Sequence, residues 1–289
     1  MKKTLSVILS AALTAGALTA AAAAEELSAE VYVTIADENG KLVLASEKTQ
    51  VTDVDGNGEL TIDDALFCAH EAKFNGGAEA GYKSADGDYG RYLEKLWGVE
   101  NGGSYGYYLN NASAMSLGDK VISGDYVSAF VYTDLTAWSD TYCYFDTMSV
   151  SAEVNEPITL TLTAAGYDEN YAPVTLPVEG AVITVNGEET EFVTDSEGKA
   201  EITLDGPEYY VISAVSKDKI LVPPVCLAEI YDTVVEADNS VSEETENMVG
   251  DVSAETEDKS SPDTGAADVA VFGGIALVCA LGVICSKKR

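Results

Sequence analysis

Residues 53–64 read DVDGNGELTIDD, and this stretch predicts where a strand-rich start of the chain gives way to a helix. Ca²⁺ takes six or more oxygen ligands, which a twelve-residue loop supplies around a sharp turn at a glycine in position six. Counted from Asp53, that glycine is Gly58, and the apolar Leu60 stands at position eight. The predicted calcium ligands are Asp53, Asp55, Asn57, Glu59 through its backbone carbonyl, Thr61 and Asp64. An Asx-rich hairpin turn is the alternative, which explains the Asp-Gly and Asn-Gly pairs but not the whole register.

The chain before this loop lacks the entering helix of a paired EF-hand, because residues 42–52, LVLASEKTQVT, have a β-like pattern. A calcium loop followed by one helix, with Asp at position twelve, resembles the dockerin half-repeat. Dockerins carry two such repeats and bind cohesins, whereas this sequence has no second D-x-[DN]-x-[DN]-G. We therefore expect a structural Ca²⁺ clip with a dissociation constant on the order of 10⁻⁴–10⁻³ M, as in extracellular modules. A dockerin-like partnership with a cohesin is the alternative role of the loop.

Residues 28–148 form one predicted segment, an α+β domain that is β-rich with one main helix. Val31, Val33 and Ile35 alternate with other residues, and Asn39-Gly40 is a hairpin signal. Residues 89–98, YGRYLEKLWG, fit a strand or a helix. Further strands are predicted at SYGYYLNN (104–111), DYVSAFVYT (125–133) and TYCYFD (141–146).

The main helix is predicted over residues 62–74, IDDALFCAHEAKF. Thr61 is the expected N-cap, with Asp64 three residues later as its capping-box partner. Asn75-Gly76-Gly77 is expected to end the helix. One face carries the apolar residues Ile62, Ala65, Leu66 and Ala69.

Residues 149–232 change to short strands separated by turns, which predicts an all-β sandwich. The turns are expected at Asn186-Gly187, at residues 195–198 and at Asp205-Gly206-Pro207. The predicted strands are PITLTLTAAG (157–166), AVITVNGEETEFVTD (181–195), KAEITLDG (199–206) and YYVISAVS (209–216).

Both segments resemble modules of bacterial surface proteins. Residues 104–133, SYGYYLNNASAMSLGDKVISGDYVSAFVYT, together with the D-A-L helix, resemble the transcobalamin C-terminal-like domain, a small β-rich cap over the corrinoid in transcobalamin. The pattern EGAVITVNG, VTDSEGKAEITL and YYVISA resembles prealbumin-like or carboxypeptidase-regulatory-like modules. That second resemblance implies a spacer or an adhesive stalk.

The two ends of the chain predict export and anchoring. Residues 1–24 have a basic start, an apolar run and small residues at their end, as a secretory signal peptide does. Residues 233–260 are acidic, contain no aromatic residue and predict a disordered linker. SPDTG at residues 261–265 precedes an apolar run at 269–285 and a basic tail.

This C-terminal order resembles the cell-wall sorting signal of Gram-positive surface proteins. In that family a sortase cuts between Thr and Gly of L-P-x-T-G and joins the Thr carbonyl to a cell-wall amine. The resemblance implies cleavage between Thr264 and Gly265, with sortase and peptidoglycan as partners, and contact with the membrane only through the span before processing. Ser261 stands where Leu is usual, which suggests another sortase class, and a plain membrane anchor is the alternative.

The net charge of the chain excludes nucleic acid as a partner. The chain has 16 Lys and Arg against 49 Asp and Glu, a net charge of −33 at pH 7, so it repels nucleic acid and concentrates cations.

Cys68, Cys143 and Cys226 lie outside the C-terminal run, and their spacing fits no disulfide framework. A Cys68–Cys143 bridge is left open.

No catalytic motif is present in the sequence, and its single histidine, His70, is expected on the surface of the helix. We expect a non-enzymatic, wall-anchored protein that binds a glycan, a host protein or a corrinoid. A purely structural stalk or coat protein is the first alternative, and an enzyme is the second. The candidate ligand face contains Trp97, Tyr105, Tyr107 and Tyr108, in a region rich in aromatic residues that stack on flat ligands. Strand geometry places Tyr105 and Tyr107 on one face and Tyr108 on the other.

Overall fold

The computed structural model describes residues 27–232, apart from residues 101, 103 and 171. The predicted signal peptide, acidic linker and sorting signal, with its cleavage pair Thr264 and Gly265, lie outside the described residues. Within the described range, no helix has the length and apolar character needed to cross a membrane.

The first part of the described chain combines seven strands with two helices. In chain order they are β1 (Ser28–Ala36), β2 (Leu42–Thr52), α1 (Ile62–Lys73), α2 (Gly77–Gly81), β3 (Lys83–Gly87), β4 (Gly90–Lys95), β5 (Tyr105–Leu109), β6 (Ala112–Ser113) and β7 (Tyr126–Val131). Five of these strands form one sheet in the order β2-β1-β7-β5-β6, and β3 and β4 form a separate hairpin. This arrangement agrees with the predicted β-rich α+β class.

The predicted alternation in β1 places its apolar side chains on one side of the sheet. Val31, Val33 and Ile35 are fully buried, and β1 pairs with β2 across an antiparallel hairpin. Gly40 adopts a φ of 68° in the connecting turn, a backbone conformation that favours glycine. The other neighbour of β1 is β7, which runs parallel to it.

Helix α1 packs the predicted apolar face on this sheet. Thr61 is the N-cap, and its side chain accepts from the Asp64 amide while the Asp64 carboxylate accepts from the Thr61 amide, a complete capping box. The buried face contains Ile62, Ala65, Leu66 and Ala69. The helix ends at Lys73, before the predicted glycines, and the short helix α2 that begins at Gly77 was not predicted.

The open choice at residues 89–98 is resolved as strand β4, which pairs with β3. Leu93 of β4 is buried and joins the core under α1, while Tyr92 beside it is exposed. This alternation is the period-two pattern of a strand with one covered face.

The second part contains ten strands. They are β8 (Thr141–Phe145), β9 (Ser149–Glu153), β10 (Ile158–Tyr167), β11 (Pro173–Pro177), β12 (Val182–Val185), β13 (Glu188–Val193), β14 (Lys199–Ile202), β15 (Tyr209–Val215), β16 (Leu221–Val222) and β17 (Cys226–Tyr231). One sheet has the order β11-β10-β8-β16 with β14 also on β10, and the other has the order β13-β12-β15-β17-β9. Side chains from both sheets share one buried core, which makes this part a β-sandwich.

Strand β8 lies before the expected segment boundary at residue 148, yet it belongs to the sheets of the second part. It pairs with β10 in an antiparallel ladder and with β16 in a parallel one. Cys143 and Phe145 of this strand are buried in the sandwich core. The assignment of TYCYFD to the first segment is therefore wrong, because β8 finds its partners far along the chain.

A small aromatic cluster joins the two parts. Phe130 of β7 is buried with Tyr142 of β8 and Val222 of β16. Tyr108 of β5 stacks on Tyr142, with ring centroids 3.5 Å apart and an interplanar angle of 7°. The sandwich thus covers part of the sheet face that points away from α1.

The cysteines of the described chain form no disulfide: Cys68, Cys143 and Cys226 are free thiols, so the Cys68–Cys143 bridge is absent. The Cys143 thiol donates to the Val222 carbonyl over 3.2 Å. Burial raises the pKa of the Cys143 thiol far above its ordinary value.

Replacing Gly106 by alanine should destabilise the fold by about 1–3 kcal/mol, because an added Cβ would overlap the ring of Phe130. Urea unfolding measures this change. Gly166→Ala is the matched control, since the nearest atom to its Cβ is the flexible Leu176 side chain at 3.3 Å, and it should cost less. In a double-mutant cycle, Phe130→Leu should recover part of the Gly106→Ala loss; strictly additive losses would contradict this packing.

Candidate functional site

The loop of residues 53–64 connects the end of β2 to the start of α1, and its backbone amides turn inward onto acidic side chains. Asp53 Oδ1 accepts from the amides of Gly56 and Asn57, and Asp53 Oδ2 accepts from Gly58 at 2.8 Å. The sharp turn predicted at Gly58 is present, with a φ of 85°. Asp55 Oδ1 accepts from the Asn57 amide in the same way.

This folding brings three of the predicted ligands together. Asp53, Asp55 and Asp64 each present a carboxylate oxygen, and the three oxygens lie within 4.8 Å of one another. Asp64 is only 2% exposed, and its Oδ1 accepts from the Val54 amide over 2.9 Å. A hard cation such as Ca²⁺ prefers charged oxygen ligands of this kind, so the donor chemistry fits the predicted ion.

The other three predicted ligands have different side-chain partners. The Asn57 side-chain oxygen accepts from the Glu59 amide over 2.8 Å. The Glu59 carboxylate forms an exposed ion pair with Lys120 at 2.7 Å, and the predicted ligand atom of this residue is its backbone carbonyl. The Thr61 hydroxyl donates to Asp64 Oδ2 over 2.6 Å within the capping box.

The loop is fastened to a distant segment that sequence reasoning did not identify. The Leu60 carbonyl accepts from the Val121 amide over 2.9 Å, and the Asp63 amide donates to the Leu117 carbonyl over 2.9 Å. Thr61 and Lys120 form an isolated antiparallel bridge between these contacts. The start of α1 is therefore held from outside by a strand-like pairing.

Arg91 of β4 was also missed, and it is the main cation beside the loop. Its Nη1 donates to Asp55 Oδ2 over 3.1 Å and to Asp63 Oδ2 over 2.7 Å, and its Nε donates to Asp86 over 3.0 Å. Hydrogen bonds to Asp86 and Asp63 raise the pKa of Arg91 above its ordinary value. The available signal was an arginine within an acidic hairpin turn, DGDYGR at residues 86–91.

His70 is buried rather than on the helix surface, so that expectation is wrong. Its Nδ1 lies 2.6 Å from the Leu66 carbonyl oxygen, and its Nε2 accepts from the Trp97 amide over 3.0 Å. These partners place the proton on Nδ1 and leave Nε2 as an acceptor. Burial lowers the pKa of His70 to about 4, although its contact with Leu66 acts in the opposite direction.

The four residues of the predicted ligand face do not lie on one surface. Tyr105, Tyr107 and Trp97 pack against the core under the first sheet, and Trp97 makes an edge contact with Phe74 at 5.1 Å between centroids. Tyr108 lies on the opposite face, in the aromatic cluster between the two parts. The alternation of tyrosines on β5 is confirmed, and it separates Tyr108 from the others.

Comparison with known proteins identifies no family. No family model matches the chain, and no curated protein matches it. Among solved structures, it is similar to a chain in the crystal structure of Dscam1 isoform 9.44, N-terminal four Ig domains with zinc, at 14% identity and a TM-score of 0.19. The match covers 52% of this chain and 36% of that chain. A likeness at that score supports no conclusion on fold or function.

Acidification should weaken the fold through His70. The unfolded histidine has a pKa of about 6.5 and the folded one of about 4, so between these values the unfolded state binds more protons and stability falls as pH falls. The loss from about pH 7 to about pH 4.5 should be about 2–3 kcal/mol. Urea unfolding at both pH values measures it, and His70→Gln should show a smaller difference. An equal pH dependence in the two proteins would assign the effect to the carboxylates instead.

Proposed function

We propose that this protein is a non-catalytic, cell-wall-anchored surface protein that is stabilised by Ca²⁺ and binds an extracellular ligand. The observation that carries the proposal is the convergence of Asp53, Asp55 and Asp64 within 4.8 Å, on a loop that has the calcium register. The non-catalytic part is supported by His70, whose two ring nitrogens both have backbone partners inside the core.

The ion would act as a structural clip between β2 and α1. Asp53, Asp55, Asn57, the Glu59 carbonyl, Thr61 and Asp64 would hold it. Three carboxylates so close together repel one another, and a divalent cation relieves that repulsion when it binds. Because the start of α1 is already fastened to residues 117–121, the expected gain is in stability rather than in a change of fold.

The anchoring part rests on the order of SPDTG, apolar run and basic tail at residues 261–289. It makes sortase and peptidoglycan the partners of the C-terminal end and places residues 27–232 outside the cell. The proposal includes the resemblance of the two parts to transcobalamin C-terminal-like and prealbumin-like modules. Such modules occur in bacterial surface proteins, and the proposed ligand is a glycan, a host protein or a corrinoid.

A structural stalk or coat protein is the second candidate, and one observation favours it. Tyr108, Phe130 and Tyr142 pack together between the two parts, which ties the sheet to the sandwich as a spacer requires. If the protein binds none of the candidate ligands but is still stabilised by Ca²⁺, this alternative is favoured.

Calcium should raise the melting temperature of the purified protein. For a dissociation constant of about 10⁻⁴–10⁻³ M, Ca²⁺ at about 10 mM contributes roughly 1.4–2.7 kcal/mol. A domain of this size should then gain about 3–10 °C. Differential scanning calorimetry with Ca²⁺ and with a chelator measures the difference, and equal melting in both conditions would refute the site.

Asp55→Asn tests the ligand set, and Asp86→Asn is its matched control. Both variants weaken a carboxylate contact of Arg91, but only Asp55 faces the other loop carboxylates. We expect Asp55→Asn to lose most of the calcium-dependent gain and Asp86→Asn to keep it. If both variants lose the gain equally, the effect comes from Arg91 and not from ion coordination.

Wall attachment predicts a defined covalent product. Digestion of cell walls should release a peptide that ends at Thr264 and is joined to a peptidoglycan fragment, which mass spectrometry identifies. Thr264→Ala should abolish that product. Recovery of the intact protein by detergent, with its C-terminal tail present, would instead indicate a membrane anchor.

A further inference from the structure

A surface cleft lies along the β3–β4 hairpin. It is lined by residues 87–92, Tyr107 and Met115 and has a volume of about 300 Å³, at the lower end of the range for small-ligand sites. Its lining is unusually exposed for large side chains: Tyr89 is 96% exposed, Met115 84% and Tyr92 40%. A cluster of exposed aromatic and apolar side chains marks a binding surface more often than isolated ones do.

The backbone that forms this tyrosine cleft is held in place before any ligand arrives. The Arg91 amide donates to Ser116 Oγ over 2.9 Å, and the Leu117 amide donates to the Arg91 carbonyl over 2.9 Å. Gly90 has a φ of 109°, and a Cβ there would lie 2.6 Å from Ser116 Oγ. Only glycine permits this close approach, so the hairpin stays fixed against residues 116–117.

The charges around the cleft select the ligand. Asp88 is part of the lining, while the Nε and Nη1 donors of Arg91 are engaged by the carboxylates of Asp55, Asp63 and Asp86. The Arg91 guanidinium is therefore paired with three carboxylates, and Asp88 adds a further acidic residue to the lining, so the surroundings disfavour an anionic ligand. Burial and the negative charge of Asp119 raise the pKa of Tyr107 in the lining.

We propose that the tyrosine cleft binds a lysine or arginine side chain of an extracellular basic peptide. A cationic group over a tyrosine face is attracted by the ring quadrupole, and Asp88 supplies the opposite charge. The acidic character of the whole chain would draw such a peptide toward the surface. The inference rests on the proposed ligand-binding role and names its ligand class, but it does not require the calcium ion.

Titration calorimetry of the purified protein with a lysine hexapeptide, in the presence of a chelator, tests the inference. Tyr89→Ala should weaken binding about twofold to fivefold, and Asp88→Asn should weaken it about threefold. Both side chains are exposed, so neither variant should alter folding. Binding should also weaken as the salt concentration rises.

The matched controls are Tyr167→Ala and Glu169→Gln, which remove an exposed ring and an exposed charge from the second part of the chain. They should change the affinity less than twofold. Cellohexaose serves as a neutral carbohydrate probe of the same cleft, and a glutamate hexapeptide as the anionic one. Neither should bind measurably.

Each contrary outcome has a distinct meaning. If all four variants behave alike, the lysine peptide is attracted only by net charge, and the inference fails. If cellohexaose binds and Tyr89→Ala abolishes that binding, the cleft is a sugar site and the inference again fails. Absence of peptide binding overturns it as well, and calorimetric melting of the same sample with Ca²⁺ shows separately whether the calcium part of the proposed function stands.

Discussion

The Arg91 guanidinium holds together the acidic loop, the start of α1 and the β3–β4 hairpin. It reaches Asp55 in the loop, Asp63 in the first turn of the helix and Asp86 in the hairpin. The Asp63 side chain is 13% exposed, and its second oxygen accepts from the Tyr82 hydroxyl over 2.6 Å. Removing the arginine would leave Asp63 as a largely buried charge without its cation, which is costly. The side chain of Arg91 therefore links all three elements, alongside the backbone hydrogen bonds that hold the start of α1 and the hairpin to residues 116–121.

Features with local signals were predictable from the sequence. The capping box needs only Thr61 and Asp64 three residues apart, and the burial of Val31, Val33 and Ile35 follows from alternation. These signals are local because each hydrogen bond or face is defined within a few residues. The convergence of the loop carboxylates belongs to the same class, since their spacing in a twelve-residue loop sets their separation.

Features that depend on distant partners were not predictable. The pairing of Leu60 with Val121 joins residues far apart in sequence, and so does the contact of Arg91 with Asp55. Strand β8 carries the same β-like pattern whichever sheet it joins, so its pattern gives no information about its partner. His70 occupies a helical position that is buried because the rings of Tyr82 and Trp97, which follow α1 in the chain, lie against it.

The surroundings of the aromatic residues also depend on distant partners and could not be predicted from the local sequence. Alternation along β5 correctly places Tyr107 and Tyr108 on opposite faces, but it does not say what covers each face. Tyr107 meets the core under the sheet and the cleft beside the hairpin, whereas Tyr108 meets Tyr142 of the sandwich. The richness in tyrosine therefore serves packing between the two parts as well as exposed surface, and composition alone cannot divide these uses.

Asp55 belongs both to the carboxylate group of the loop and to the ion pairs of Arg91, which lines the cleft. It is therefore the residue through which ion binding in the loop could affect the cleft. Its Oδ2 accepts from Arg91 at 3.1 Å, the longest of the three contacts of that arginine with carboxylates. An ion in the loop would be coordinated by Asp55, yet Arg91 would retain its ion pairs with Asp63 at 2.7 Å and with Asp86 at 3.0 Å. The hairpin also keeps its backbone bonds to Ser116 and Leu117. The wall of the cleft is therefore held independently of the ion, so ion binding can stiffen the strand-to-helix junction and leave the shape of the cleft unchanged.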